Sequence, residues 1–159
     1  MIDSGASLTC RPCQEADATF LTQLYAAVHA PEFAPLGLPA EMLAKLLQQQ
    51  SFAQETGYRQ NFPSADRRIV EFQGTPIGRM IVDEHPDRLH LIDIALNPAY
   101  HRRGIGGDLL RRLIEEAVGR PIHLQVVAHN PARRLYERLG FRCISETAPY
   151  VAMEFQASD

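Results

Sequence analysis

Cysteine is scarce in this sequence: three residues in 159, an odd number, which argues against a disulfide framework. Cys10 and Cys13 form a C-x-x-C pair, but "LTCRPCQ" reads as a strand running into a loop, where positions three apart point to opposite faces. Cys143 leaves zinc at most three thiolates, and no histidine pair at finger spacing completes a site, so no metal is expected. A basic field is lacking too. The formal net charge is −3, which argues against a nucleic-acid partner. No stretch is long and apolar enough to span a bilayer, so no membrane partner is expected. The N-terminal "MIDSGASLTC" has neither the basic head nor the apolar run of a secretory signal, and a cytoplasmic protein is the expectation. Internal repeats, low-complexity tracts and linkers are absent as well. With 45% apolar and 22% charged residues, these absences predict one domain over residues 1–159, with residues 1–6 as a flexible tail.

What is present is a regular alternation of short apolar runs. Residues 7–13 read as a first strand, and Asp17 as the N-cap of a helix over Ala18–His29 whose apolar face is Phe20, Leu21, Leu24, Tyr25 and Val28. "APEFAPLGLP" (30–39) reads as a loop, and a second helix runs from about Pro39 to Tyr58. "RRIVEF" and "PIGRMIVDE" predict two strands joined by a turn at Gly74, and "RLHLIDIAL" a third, stopped by Asn97-Pro98. A helix with Ile105, Leu109, Leu110, Leu113, Ile114, Ala117 and Val118 on one face follows, then the strand "PIHLQVVAH". Asn130 caps the helix "ARRLYERL", Gly140 stops it, and "FRCISE" with "YVAMEF" form a closing hairpin. The order β-α-α-β-β-β-α-β-α-β-β predicts a single-domain α/β fold with a mixed central sheet.

The segment "HRRGIGGD" (101–108) lies between a strand and a helix. The first helical N–H groups have no intrahelical partner, and the helix dipole adds partial positive charge. Glycines let an anion approach the backbone, and His101, Arg102 and Arg103 add side-chain charge, so a diphosphate is the natural guest. A Walker A loop is excluded because the segment ends Gly-Gly-Asp rather than Gly-Lys-Ser/Thr. A dinucleotide fingerprint is excluded because Leu109 stands where its third glycine is needed.

"LNPAYHRRGIGGDLLRRLIEEA" resembles the R/Q-x-x-G-x-G/A signature of the GNAT acetyltransferase superfamily. "NPARRLYERLGFR" is similar to that superfamily's second signature, and "LTCRPCQEADA" to its first strand and helix start. Two positions depart from the pattern: His101 stands at the leading Arg or Gln, and Asn130 and Ala132 are two apart where many members have three. The resemblance implies the GNAT fold and an acetyl-CoA-dependent N-acetyltransferase acting on a primary amine of a small molecule, peptide or protein. A non-catalytic acyl-CoA-binding or sensor domain on the same fold is the alternative.

In residue terms, the resemblance implies a pyrophosphate cradle of His101, Arg102, Arg103, Gly104, Ile105, Gly106, Gly107 and Asp108. The Ile94 amide would polarise the thioester, Ala95 and Leu96 would lie along the pantetheine, and Asn130 and Arg133 would flank the cofactor. Tyr136 aligns with the proton donor to the leaving thiolate. For the base, Asp93 interrupts an apolar strand one residue before Ile94, with His90 or a relaying water as alternatives. Glu32, Phe33 and Tyr150 are the candidates for the amine acceptor. A homodimer is compatible with the sequence and not required by it.

Overall fold

A computed structural model of the chain describes residues 7–157, so the tail expected at residues 1–6 lies outside the described residues. In chain order the elements are β1 (Leu8–Pro12), α1 (Ala18–Phe33), α2 (Ala40–Asn61), β2 (Asp66–Phe72), β3 (Thr75–Glu84), β4 (Leu89–Leu96), α3 (Ile105–Ala117), β5 (Ile122–Val127), α4 (Ala132–Arg138), β6 (Arg142–Thr147) and β7 (Tyr150–Phe155). This is the order expected from the apolar pattern. The strands form one sheet in the order β1-β2-β3-β4-β5-β7-β6, antiparallel throughout except for the β4–β5 pair.

Strand alternation and helical periodicity meet on one side of the sheet. Val82, Leu89, Leu91, Ile122 and Leu124 are buried against Ile105, Leu109, Leu110, Leu113 and Ala117, the apolar stripe of α3. Each fully buried aliphatic side chain there contributes roughly 1.5–3 kcal/mol. The opposite side is covered by α1 and α2, with Leu21, Leu24 and Leu47 buried along with Ile69 of β2 and Ile81 of β3. No described helix is long and apolar enough to cross a membrane.

Two expectations are corrected. The stretch 30–39 is not all loop, because α1 runs four residues beyond His29 through Pro31 before a 3₁₀ turn at Ala34–Leu36. A proline in the last turn forfeits a single backbone hydrogen bond, which the packed upstream turns with Leu21 and Leu24 offset. Glu32 and Phe33 therefore sit on the last turn of a helix. Asp17 does not cap α1: it ends a 3₁₀ turn at Glu15–Asp17 in helical conformation. Its carboxylate turns back to accept from the Gln14 N–H at 2.8 Å and from Arg11 at 2.8 and 2.9 Å, tying β1 to the entry of α1.

Arg11, and after it the Gln14 N–H, hold the Asp17 carboxyl down at about 2, against 3.8 unperturbed. A depressed folded-state value means that this stabilisation is present above the unfolded value and is lost as pH falls through the folded one. Asp17→Asn should therefore lower stability at pH 7 by about 1.5–3 kcal/mol, the usual worth of hydrogen bonds to a charged group. Urea unfolding of both proteins from pH 7 downward should show the difference shrinking below about pH 4.

Candidate functional site

The site begins where two neighbouring strands part. β4 and β5 pair only at Leu89↔Ile122, His90↔His123 and Leu91↔Leu124. Beyond that point β5 continues on β7 and β4 continues on β3. The parting coincides with a bulge, since Val82 faces Leu91 and Ile81 faces Asp93, leaving Ile92 as the extra residue. Without the bulge, His90 and Asp93 would point to opposite faces. With it, both face α1 and α2. His90 packs edge-on against Phe62 at 5.6 Å, and Asp93 accepts from Arg79, which also bonds α2. Ile94 and Leu96 then pack towards the α3-side core. The edge of residues 92–96 that faces away from β3 has no strand partner among the described residues, so an extended ligand could add there as a strand.

At the end of this strand the chain turns sharply. The Asn97 Oδ1 accepts from the Ala99 N–H at 3.0 Å, Arg102 takes φ +62° and Gly104 takes φ +79° with open space around it. The first bond of α3 runs from the Asp108 N–H to the Gly104 carbonyl at 3.0 Å. The amides of Ile105, Gly106 and Gly107 thus have no intrahelical acceptor and present the positive end of the helix dipole. Gly106 has a different role from Gly104: a Cβ there would lie 3.3 Å from Leu135 Cδ2, so its bareness serves close packing of α3 against α4. Arg103 lies over the Tyr100 ring at 5.1 Å, and Asp108 pairs with Arg112 at 3.2 Å. The His101 Nε2 lies 3.0 Å from the Leu96 carbonyl, at the very end of the open edge.

A cavity of about 260 Å³ lies along the end of β4 and reaches the turn at His101. Of the residues singled out from the sequence it brings together Asp93, Ile94, Ala95, Leu96, His101 and Asn130. The Asp93 carboxyl is pushed up by burial, partly opposed by the Arg79 guanidinium 2.8 Å away. Tyr136 is buried in α4 with its ring 5.7 Å from Phe141; burial, and then the Asp93 charge, push its phenol up to about 12. Its hydroxyl makes no hydrogen bond among the described residues. Neither Tyr136 nor His90 is among the residues lining the cavity, and burial lowers the His90 imidazole. The Asn130 Oδ1 accepts from the Ala132 N–H at 2.9 Å, capping α4 as its sequence position suggested. Arg133 bonds Glu137 at 3.1 Å beside a second cavity of about 450 Å³ that includes His129 and Arg134. Glu32, paired with His29 at 3.2 Å, and Phe33 and the exposed Tyr150 do not line the first cavity.

Sequence reasoning missed Arg79, Gln54, Tyr25 and His29, which line the cavity together with Leu21, Leu24, Val28 and Ala132. Arg79 did leave a signal, a charge in the middle of the apolar strand "GRMIV". Gly78 was missed too. A Cβ there would lie 2.3 Å from the Ala95 carbonyl and 2.7 Å from Leu96 Cδ2, so β3 must be bare where β4 crosses it.

The acetyltransferase (GNAT) family model matches residues 40–141 of the chain. A curated relative, the [ribosomal protein bS18]-alanine N-acetyltransferase of Escherichia coli strain K12, is 40% identical over 82 residues, covering 46% of this chain and 55% of that protein. The cysteine-rich protein 2-binding protein of Mus musculus is 31% identical over 65 residues, covering 41% of this chain and 8% of that much longer protein. The chain thus spans about half the length of the first relative and a small part of the second. Among solved structures, the PaiA N-acetyltransferase of Thermoplasma acidophilum in complex with coenzyme A superposes with a TM-score of 0.69 at 18% identity, covering 95% of this chain and 99% of that one. The ribosomal-protein-S18-alanine N-acetyltransferase structure from Escherichia coli superposes with a TM-score of 0.65 at 24% identity, covering 96% of both chains. These likenesses are of fold.

Gly78→Ala should cost about 1–3 kcal/mol, towards the upper end because backbone must move rather than a side-chain tip. Thermal unfolding measures the loss. An unchanged midpoint would mean that β3 and β4 do not approach this closely.

Proposed function

The chain belongs to the GNAT acetyltransferase family, and on that premise we propose that it transfers an acetyl group from acetyl-CoA directly to a primary amine of a small molecule, peptide or protein. One observation carries the reading: the open β4 edge is followed, across the turn of residues 97–104, by a helix start with three amides that have no intrahelical acceptor. The residues present fit a long acyl carrier with a diphosphate. No side chain fills the space beside Gly104, the strand edge offers backbone groups in a row, and Arg102 and Arg103 bring charge to the turn. When bound, acetyl-CoA supplies the acetyl group as a thioester already activated towards an amine.

The chain's own groups then divide the work. The amides of Ile105, Gly106 and Gly107, with Arg102, Arg103 and His101, hold the diphosphate, and Asp108 anchors the first helical turn. The edge at Leu96, beside Ala95, would align the pantetheine arm, and Asn130 and Arg133 would flank it. The fixed Ile94 N–H stabilises charge developing on the carbonyl oxygen without reorganisation. Asp93 accepts the amine proton, and burial makes its carboxyl a stronger base than an exposed one. His90 lies off the cavity beside Phe62 and is the weaker choice. Tyr136 donates to the departing thiolate, and its raised value keeps the phenol protonated until that moment. Glu32, Phe33 and Tyr150 border the acceptor's approach. A curated relative is named for an alanine amine of a ribosomal protein, which makes a peptide with N-terminal alanine the first acceptor to try.

The test is CoA release from acetyl-CoA across a panel of amines that includes such a peptide, with CoA affinity measured by calorimetry. Turnover with at least one amine is expected. Tight CoA binding with no turnover across the panel would instead identify an acyl-CoA sensor. Tyr136→Phe keeps the ring against Phe141 and should slow turnover by about 10²–10³-fold with CoA affinity retained. Asp93→Asn should slow turnover and remove the acid limb of the pH–rate profile.

A further inference from the structure

We propose that Arg79 is a positioning residue for Asp93, and that Glu55 and Gln54 of α2 act through it to fix where the carboxylate points and how readily it takes a proton. The proposal rests on Asp93 being the proton acceptor. Arg79 is the most deeply buried cation among the described residues, 6% exposed in the middle of β3. A buried guanidinium is tolerated only where its charge and donors are matched. Here each of its three nitrogens has its own partner. The Nε donates to Asp93 Oδ2 at 2.8 Å, Nη1 to Glu55 Oε1, and Nη2 to Gln54 Oε1 at 2.6 Å. Its carbon lies 5.4 Å from the centre of the Tyr58 ring, which covers its face. With three bonds in one plane and a ring across it, the guanidinium cannot turn.

Glu55 also accepts from Arg67, so a chain of alternating charge runs Arg67–Glu55–Arg79–Asp93 across β2, α2, β3 and β4. Of these four, Arg79 and Asp93 reach the cavity, and Asp93 lies on the open strand next to Ile94. Arg79 engages Oδ2 alone, while Oδ1 has no donor among the described residues and is left for a ligand.

The groups facing Asp93 act in opposite senses. Arg79 of β3 and His29 of α1 favour the carboxylate, whereas burial and Glu55 of α2 oppose it. Tyr58 of α2 and Tyr136 of α4 feel the Asp93 charge and stay neutral phenols. Removing one partner at a time should therefore move the Asp93 titration in opposite directions.

The experiment measures the pH dependence of kcat/KM with one amine for the wild type, Glu55→Gln, Arg79→Met, Arg79→Lys and Asp93→Asn, with thermal unfolding of each. The amine's own titration is common to all. Glu55→Gln should shift the acid limb to lower pH, and Arg79→Met should shift it to higher pH while lowering kcat. Arg79→Lys should return the limb towards the wild type without restoring kcat in full, since an ammonium cannot span Asp93, Glu55 and Gln54 together. Should Arg79→Met not fold, the downward limb shift of Glu55→Gln together with the lowered kcat and near-wild-type limb of Arg79→Lys carries the test. Limbs that stay in place, or move in the same direction, while Asp93→Asn abolishes the limb would overturn the proposal. Asp93→Asn that keeps rate and profile would instead overturn the assignment of the base, a separate failure.

Discussion

The parting of β4 from β5 is the constraint on which the rest of the site depends. A parallel pair normally continues its ladder, and an open edge inside a sheet leaves backbone donors and acceptors unpaired. Here the ladder stops after three residue pairs, at the bulge of Ile92. Several otherwise separate features follow from that one extra residue. It turns Asp93 towards α1 and α2, aims Ile94 and Leu96 at the α3-side core, and leaves the edge of residues 92–96 unpaired. The bare Gly78 opposite Leu96 lets β3 follow β4 closely through the bend, so the bent strand stays anchored on its other side.

Charge at the site is local and balanced rather than supplied by a field. The chain is net acidic, yet the glycine turn gathers unpaired amides and two arginines, and an alternating chain of two cations and two carboxylates ends at Asp93 in the cavity wall. Positive charge is concentrated at the turn, while burial pushes the Asp93 carboxyl up against the pull of the Arg79 guanidinium. The ion-pair chain draws on buried and half-buried groups, whose effects salt screens less than those of the exposed Arg102 and Arg103.

Much of this was legible in the sequence because it is written in periodicity and in turn chemistry. The apolar spacing of α3, the glycine at 104, and the Asn130–Pro131 helix start each specify their conformation locally. The bulge was not legible. Simple alternation in "LHLIDIAL" groups Asp93 with Leu89 and Leu91, and a one-residue insertion in the pairing is decided by β3 rather than by β4 itself. The course of α1 through Pro31 was hidden for a related reason, since tertiary packing outweighs one lost hydrogen bond. Asp17 carried a good cap residue at a plausible position, but its carboxylate found Arg11, six residues earlier, across the end of β1. Gly106 and Gly104 look alike in sequence, and only the position of Leu135 separates a packing glycine from a conformational one.

Amide hydrogen exchange with and without CoA tests most directly whether the open edge and the glycine turn act as one binding surface. Exchange at Ile94 and at Ile105, Gly106 and Gly107 should slow together when CoA binds, with little change in α2. CoA that binds and leaves these four amides unprotected, or that protects instead the second cavity around His129 and Arg134, would contradict it.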